Sequence, residues 1–150
     1  MRKFCLFLAL VMILALSACT AKDDDKSPIR VGMSRTEFSA LPNYEKMFGY
    51  CGYVFFANEN GESVVVEFSA DRKQVARVET FPAVASMSED GAQKIVPGMS
   101  VFDVVAIAGL PCRSATFGIS SLDFHGDSAD YRVEWDNDMK VIGCSAVAVN

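Results

Sequence analysis

From residue 53 onward, apolar and polar side chains alternate in short runs separated by turn-forming residues, the period-two signature of half-buried strands. In the first part the runs are Tyr53–Ala57, Ser63–Ser69 and Gln74–Phe81, parted by Asn58-Glu59-Asn60-Gly61 and Asp71-Arg72-Lys73. In the second they are Ile119–Phe124, Asp130–Asp136 and Met139–Val147, with a tight turn at Asn137-Asp138. Val64, Val66 and Phe68 share one face, matched by Tyr131, Val133 and Trp135. Val65 and Glu67 point the other way, matched by Arg132 and Glu134.

Ahead of each run of strands stands a helix start. Ile29-Arg30-Val31-Gly32-Met33-Ser34 returns as Ile95-Val96-Pro97-Gly98-Met99-Ser100, and Val66-Glu67-Phe68 returns as Val133-Glu134-Trp135. Ser34 and Ser100 are good N-caps, because a hydroxyl accepts from an orphan N–H of the first turn. Glu37 and Asp103 supply the acidic half of a capping box, and Met33 with Phe38, like Met99 with Val104, supplies a hydrophobic staple. The first helix is predicted to end at Leu41-Pro42. The second is predicted from Val101 to about Ala108, with Gly109 as C′ residue and Pro111 just beyond. The expected fold is α+β: two tandem repeats, residues 29–82 and 95–150, joined by a linker at 83–94. Each repeat is a short capped helix, or a helical hairpin, packed on a three- to four-stranded antiparallel meander. Units of about 55 residues are marginal alone, so the two are expected to pack as one body.

The N-terminus reads as an address. Phe4 to Ala18 is uncharged and follows Arg2-Lys3, but it falls short of the ~20 residues that cross a bilayer. Residues 1–18 therefore read as a signal peptide. Leu16-Ser17-Ala18-Cys19 resembles the bacterial lipobox, which implies cleavage before Cys19 and acylation of its thiol. Stable anchoring takes more than one acyl chain. Residues 19–28, with Asp23, Asp24 and Asp25, read as lipidated cysteine and solvated tether rather than a metal site. By the same resemblance Thr20 permits outer-membrane sorting in a Gram-negative host, with the chain facing the periplasm.

Gly98-Met99-Ser100, Val104 and Gly109-Leu110-Pro111 resemble the opening of the SmpA/OmlA (BamE-like) family, in which a capped helix exits through Gly-x-Pro into a β-meander. Two such units in tandem are similar in architecture to the β-lactamase inhibitor proteins. The first copy departs from the pattern, since Leu41-Pro42 arrives early and without a preceding glycine. The resemblance implies a non-catalytic, protein-binding scaffold in the cell envelope, in outer-membrane assembly or envelope maintenance. The alternative is a proteinaceous inhibitor of a secreted hydrolase such as a β-lactamase.

Composition narrows the partners. The formal net charge is −5, and loss of Arg2 and Lys3 with the signal makes the remainder more acidic. No basic cluster offers itself to phosphates, so nucleic acid is excluded as a partner. The expected partners are the membrane, through the anchor, and another envelope protein.

The same composition argues against an enzyme. Asp123, His125 and Asp127 alternate and on one strand could ligate a metal or, with Ser120 and Ser121, suggest a triad. His125 is the only histidine and Gly126 interrupts the run, so a solvated turn is the preferred reading. No Gly-x-Ser-x-Gly, phosphate loop or dinucleotide signature occurs. No metal or cofactor is expected.

Three cysteines remain once Cys5 leaves with the signal and Cys19 is acylated. A Cys112–Cys144 disulfide, closing a loop of about 33 residues, is the first choice. Two free thiols packed as small hydrophobes are the alternative, and Cys51 is left unpaired. No Cys-x-x-Cys pair supports redox or zinc-ribbon chemistry. An outward face of the first sheet, with Val54, Phe56, Val65, Val75 and Phe81, is expected to pack on the other repeat or to meet a partner. Tyr44, Phe48, Tyr50, Tyr53, Phe56 and Val65 are the candidate partner anchors, because aromatic side chains give large contact area at low entropic cost.

Overall fold

Ser34 and Ser100 start helices in the same way in both halves of a computed structural model that describes residues 28–115 and 120–147. The signal peptide, Cys19 and most of the tether lie outside the described residues. Glu37 N–H donates to Ser34 Oγ at 3.2 Å, and Glu37 Oε2 accepts from Ser34 N–H at 2.8 Å. Asp103 and Ser100 repeat this reciprocal pair at 3.3 and 2.8 Å. The shorter aspartate thus closes the box as well as glutamate does. The first helix, α1, is Arg35–Ser39, followed by a 3₁₀ turn at Tyr44–Lys46. In the second half α2 is Glu89–Lys94 and α3 is Val101–Ala108.

Helix α2 falls inside the segment expected to be a linker. Its N-cap is Ser88, whose Oγ accepts from Gly91 N–H at 3.0 Å, and Glu89 and Asp90 in its first turn complement the helix dipole. The second half therefore opens with a helical hairpin and the first with a single helix. At the end of α3, Gly109 takes φ 76°, and a Cβ there would sit 2.5 Å from the Val84 carbonyl oxygen. This position admits only glycine.

The strands form two antiparallel meanders. One sheet orders β1 (Phe48–Tyr50), β2 (Tyr53–Ala57), β3 (Ser63–Phe68) and β4 (Val75–Phe81). The other orders β5 (Pro111–Ala115), β6 (Ser120–Phe124), β7 (Tyr131–Trp135) and β8 (Val141–Ala146). The fold is α+β with two four-stranded sheets. Strands β1 and β5 escape the alternation rule because β1 is three residues with a central glycine and β5 opens on proline.

Fine detail recurs between the halves. A bulge falls between Glu67 and Phe68 in one sheet and between Glu134 and Trp135 in the other. Gly32 N–H donates to Val75 O and Gly98 N–H to Val141 O, both at 2.8 Å, so each helix start is tied to the edge strand of its own sheet.

Two cores result. Phe38 of α1 meets Phe68 edge-on at 5.1 Å and packs with Val54, Val64, Val66 and Val75. The opposite face of that sheet, with Tyr50, Phe55 and Val65, joins α3, α2 and the inner face of the second sheet in the larger core. There Phe102 of α3 meets the Tyr53 ring at 6.0 Å, and the Arg77 guanidinium lies 3.8 Å from its centroid. Helix α3 is thus held between the two sheets.

This corrects the expected face assignment. Val54 pairs with Val66 and Phe56 with Val64, and directly opposed residues share a face, so Val54 and Phe56 point at α1. The bulge returns Val75 to the same side. Val65 and Phe81 do point away from α1, and they pack on the second half. The β7–β8 bulge likewise turns Ile142 outward, 47% exposed, while Cys144 packs inward.

Candidate functional site

The bulge in β5 decides where chemistry gathers. Pro111 pairs with Phe124 and Arg113 with Asp123, leaving Cys112 as the extra residue between them. Such a residue is re-aimed relative to a regular strand. Cys112 Sγ lies 3.2 Å from the Asp123 carbonyl oxygen, to which the thiol donates, and it borders the turn between β6 and β7. On that turn His125 Nδ1 and Asp130 Oδ1 are 3.0 Å apart, and Arg113 Nη2 donates to Asp130 Oδ2 at 2.7 Å. Cys112 Sγ, a His125 ring nitrogen and an Asp130 oxygen all lie within 4.8 Å of one another. The turn is braced from the 83–94 segment, since Met87 N–H donates to His125 O at 2.7 Å and Asp127 N–H to Met87 O at 3.1 Å.

Two groups of this cluster depart from their ordinary titration. Hydrogen bonds from His125 and Arg113 hold the Asp130 carboxyl below its ordinary pKa. Burial, with the Asp130 charge nearby, pushes the Cys112 thiol up.

The alternating trio read from the sequence does not assemble. Strand β6 ends at Phe124, so period-two alternation stops before His125. Asp123 is paired with Arg132, Asp127 accepts from the Ser86 hydroxyl, and His125 turns to Asp130. The expectation of a solvated turn across 120–127 also needs correction. Ser121 and Asp123 are buried in a strand, and only the part from His125 onward is exposed turn. The sequence reading singled out Cys112 only for a disulfide and missed its meeting with His125, because the bulge that re-aims it leaves no mark on hydrophobic periodicity, and it missed Asp130 because the path of the β6–β7 turn decides that contact.

No Cys112–Cys144 disulfide forms; Cys51, Cys112 and Cys144 are all free thiols. The two residues stand on β5 and β8, opposite edges of one four-stranded sheet. Three strand spacings put about 14 Å between them, whereas bridged Cα atoms lie within about 7 Å.

The partner-anchor candidates are largely consumed by the fold. Val65 is 0% exposed and Tyr50 is buried in the larger core, so neither has surface to offer. Phe48 packs against that core, and Tyr53 donates through its hydroxyl to Glu67 Oε1 at 3.0 Å. Tyr44 meets Phe38 edge-on at 5.8 Å, and half-buried Phe56 joins the smaller core.

The corresponding face of the second sheet is polar. In register, Asp123 pairs with Arg132 as Phe55 pairs with Val65. Arg132, 37% exposed, holds the nearly buried Asp123 carboxylate, and Glu134 and Ser145 lie on the same side. Among the described residues no helix is long and apolar enough to cross a membrane. The chain matches no family model, no curated protein and no solved structure with which it was compared.

Proposed function

We propose that the chain is two tandem copies of one α+β unit, forming a lipid-anchored cell-envelope protein that binds another envelope protein without catalysing a reaction. The lipobox-like Leu16–Cys19 segment supports the anchor, and the resemblance of Gly98–Pro111 to the BamE-like family supports the scaffold role. The shared capping boxes and bulges support the tandem reading.

The observation that carries the binding role is the unequal fate of equivalent sheet faces. In the first half that face, centred on Phe55 and Val65, docks onto helix α3. In the second half it bears the Asp123–Arg132 pair and Glu134. A partner docking there has to present complementary polar groups, since a rim of charge sets specificity and association rate more than affinity.

A photo-crosslinker at position 134 of the full-length, lipidated chain tests this. One reproducible adduct is expected, lost on Arg132→Glu and absent from a crosslinker placed at position 59 on the far hairpin. No adduct from position 134, or equal adducts from both positions, would overturn it. Acyl labelling of the wild type but not of Cys19→Ala is the matching test of the anchor.

A further inference from the structure

We propose that Cys112, His125 and Asp130 form a binding site for one divalent transition-metal ion of the zinc class. The donor set is sulfur, nitrogen and oxygen, the mixture that zinc accepts in tetrahedral sites. With metal–ligand bonds of 2.0–2.3 Å, tetrahedral donors stand about 3.3–3.7 Å apart. The three donors of this chain already lie within 4.8 Å, and the nitrogen–oxygen pair is at 3.0 Å. The remaining closure is small, and the His125 side chain, 66% exposed, is free to turn through it.

Three features favour an ion here over a chance cluster. The β5 bulge diverts Cys112 toward the turn, as bulges do beside functional sites. Arg113 donates to Asp130 Oδ2 and so leaves Oδ1 toward His125, and a ligating carboxylate ordinarily keeps such an outer hydrogen bond. The backbone around His125 is fixed on both sides by Met87, so the imidazole is presented from a braced turn. Three protein ligands leave a fourth position for water, the arrangement of an open rather than a closed zinc site.

Binding is a ligand exchange with a proton balance. Cys112 releases its thiol proton to solvent as the Sγ–metal bond forms, and its hydrogen bond to the Asp123 carbonyl is given up. His125 binds through Nδ1 as the neutral imidazole: its ring proton is carried on Nε2, the hydrogen bond from Nδ1 to Asp130 Oδ1 is given up, and one water leaves the hydrated ion for each ligand gained.

The test uses the full-length, reduced chain in detergent, stripped of metal and titrated with Co²⁺, then with Zn²⁺. One Co²⁺ per chain with a thiolate-to-cobalt absorption band is expected, displaced by Zn²⁺. Cys112→Ser should abolish the band, and His125→Gln should weaken Co²⁺ binding at least tenfold. Because His125 is exposed, the second variant stays folded whatever Cys112→Ser does to stability. Absence of a thiolate band, its survival in Cys112→Ser, its loss in Cys51→Ser, or unchanged affinity in His125→Gln would each overturn the site.

Discussion

Arg132 grips Asp123 with two hydrogen bonds, Nε to Oδ1 at 2.8 Å and Nη2 to Oδ2 at 3.0 Å, at the register where the first sheet pairs Val65 with Phe55. The central strand pair of the first sheet therefore carries an apolar contact where that of the second carries an ion pair. The Asp123 side chain is 4% exposed and the Arg132 side chain 37%, so the two ends of the pair differ in their access to water.

That asymmetry orders a mutant series. Arg132→Ala strands a buried carboxylate and is expected to be the more destabilising of the two single changes, though less so than breaking a pair buried at both ends. Asp123→Ala leaves a guanidinium that water can reach, and costs less. The double substitution Asp123→Leu/Arg132→Val, which restores an apolar pair, should be more stable than Arg132→Ala alone. Urea unfolding of the three variants checks the order; equal losses for both alanine variants would contradict it.

Phe102 ties the halves together. It lies between Tyr53 and Arg77 of the first sheet and the core of the second. Phe102→Ala should cost about 3–5 kcal/mol, the usual loss for a buried phenylalanine. Because the larger core draws side chains from both halves, the wild type should unfold in a single calorimetric transition. Two resolved transitions in the wild type would show that the interface contributes little.

The capping boxes make stability depend on pH at the acid end. Hydrogen bonds from the Ser100 hydroxyl and backbone hold the Asp103 carboxyl below its ordinary 3.8, and those from Ser34 do the same for Glu37. Depressed carboxylates stabilise the fold fully above their unfolded pKa values, and this stabilisation fades as pH falls through the folded ones. Midpoint temperature should therefore drop as pH falls below about 4, and less steeply in Asp103→Asn. Ser100→Ala should cost about 1 kcal/mol near neutral pH, where the box is intact.

Thiol reactivity distinguishes the three cysteines. Burial pushes the Cys112 and Cys144 thiols up, while Cys51 sits exposed in the β1–β2 turn. Alkylation of the native protein near neutral pH, read by peptide mass, should modify Cys51 first. Non-reducing maps should recover Cys112 and Cys144 uncrosslinked. A recovered Cys112–Cys144 peptide would refute the strand order described for the second sheet.

Much of the architecture was readable along the chain, because its causes are local. Ser34 with Glu37 and Ser100 with Asp103 fix helix starts through side chains three residues apart, and Val101–Ala108 ends where Gly109 and Pro111 require it. Alternation placed β2, β3, β6 and β7 to within a residue or two, since period two is a property of the strand itself. Helix α2 was legible in principle from Ser88 followed by Glu89 and Asp90, but its polar composition resembled a linker.

What lay beyond the sequence was everything set by pairing between distant segments. Whether Phe56 faced α1 or the second half depended on its partner Val64, and bulges moved Val75 and Ile142 to faces that simple alternation denies them. Cys112 and Cys144 stood apart, and Cys112, His125 and Asp130 came together, because strand order and a single extra residue in β5 decided distances in space. Sequence patterns register which face of an element prefers to be dry, whereas the identity of what covers that face is a property of the folded whole.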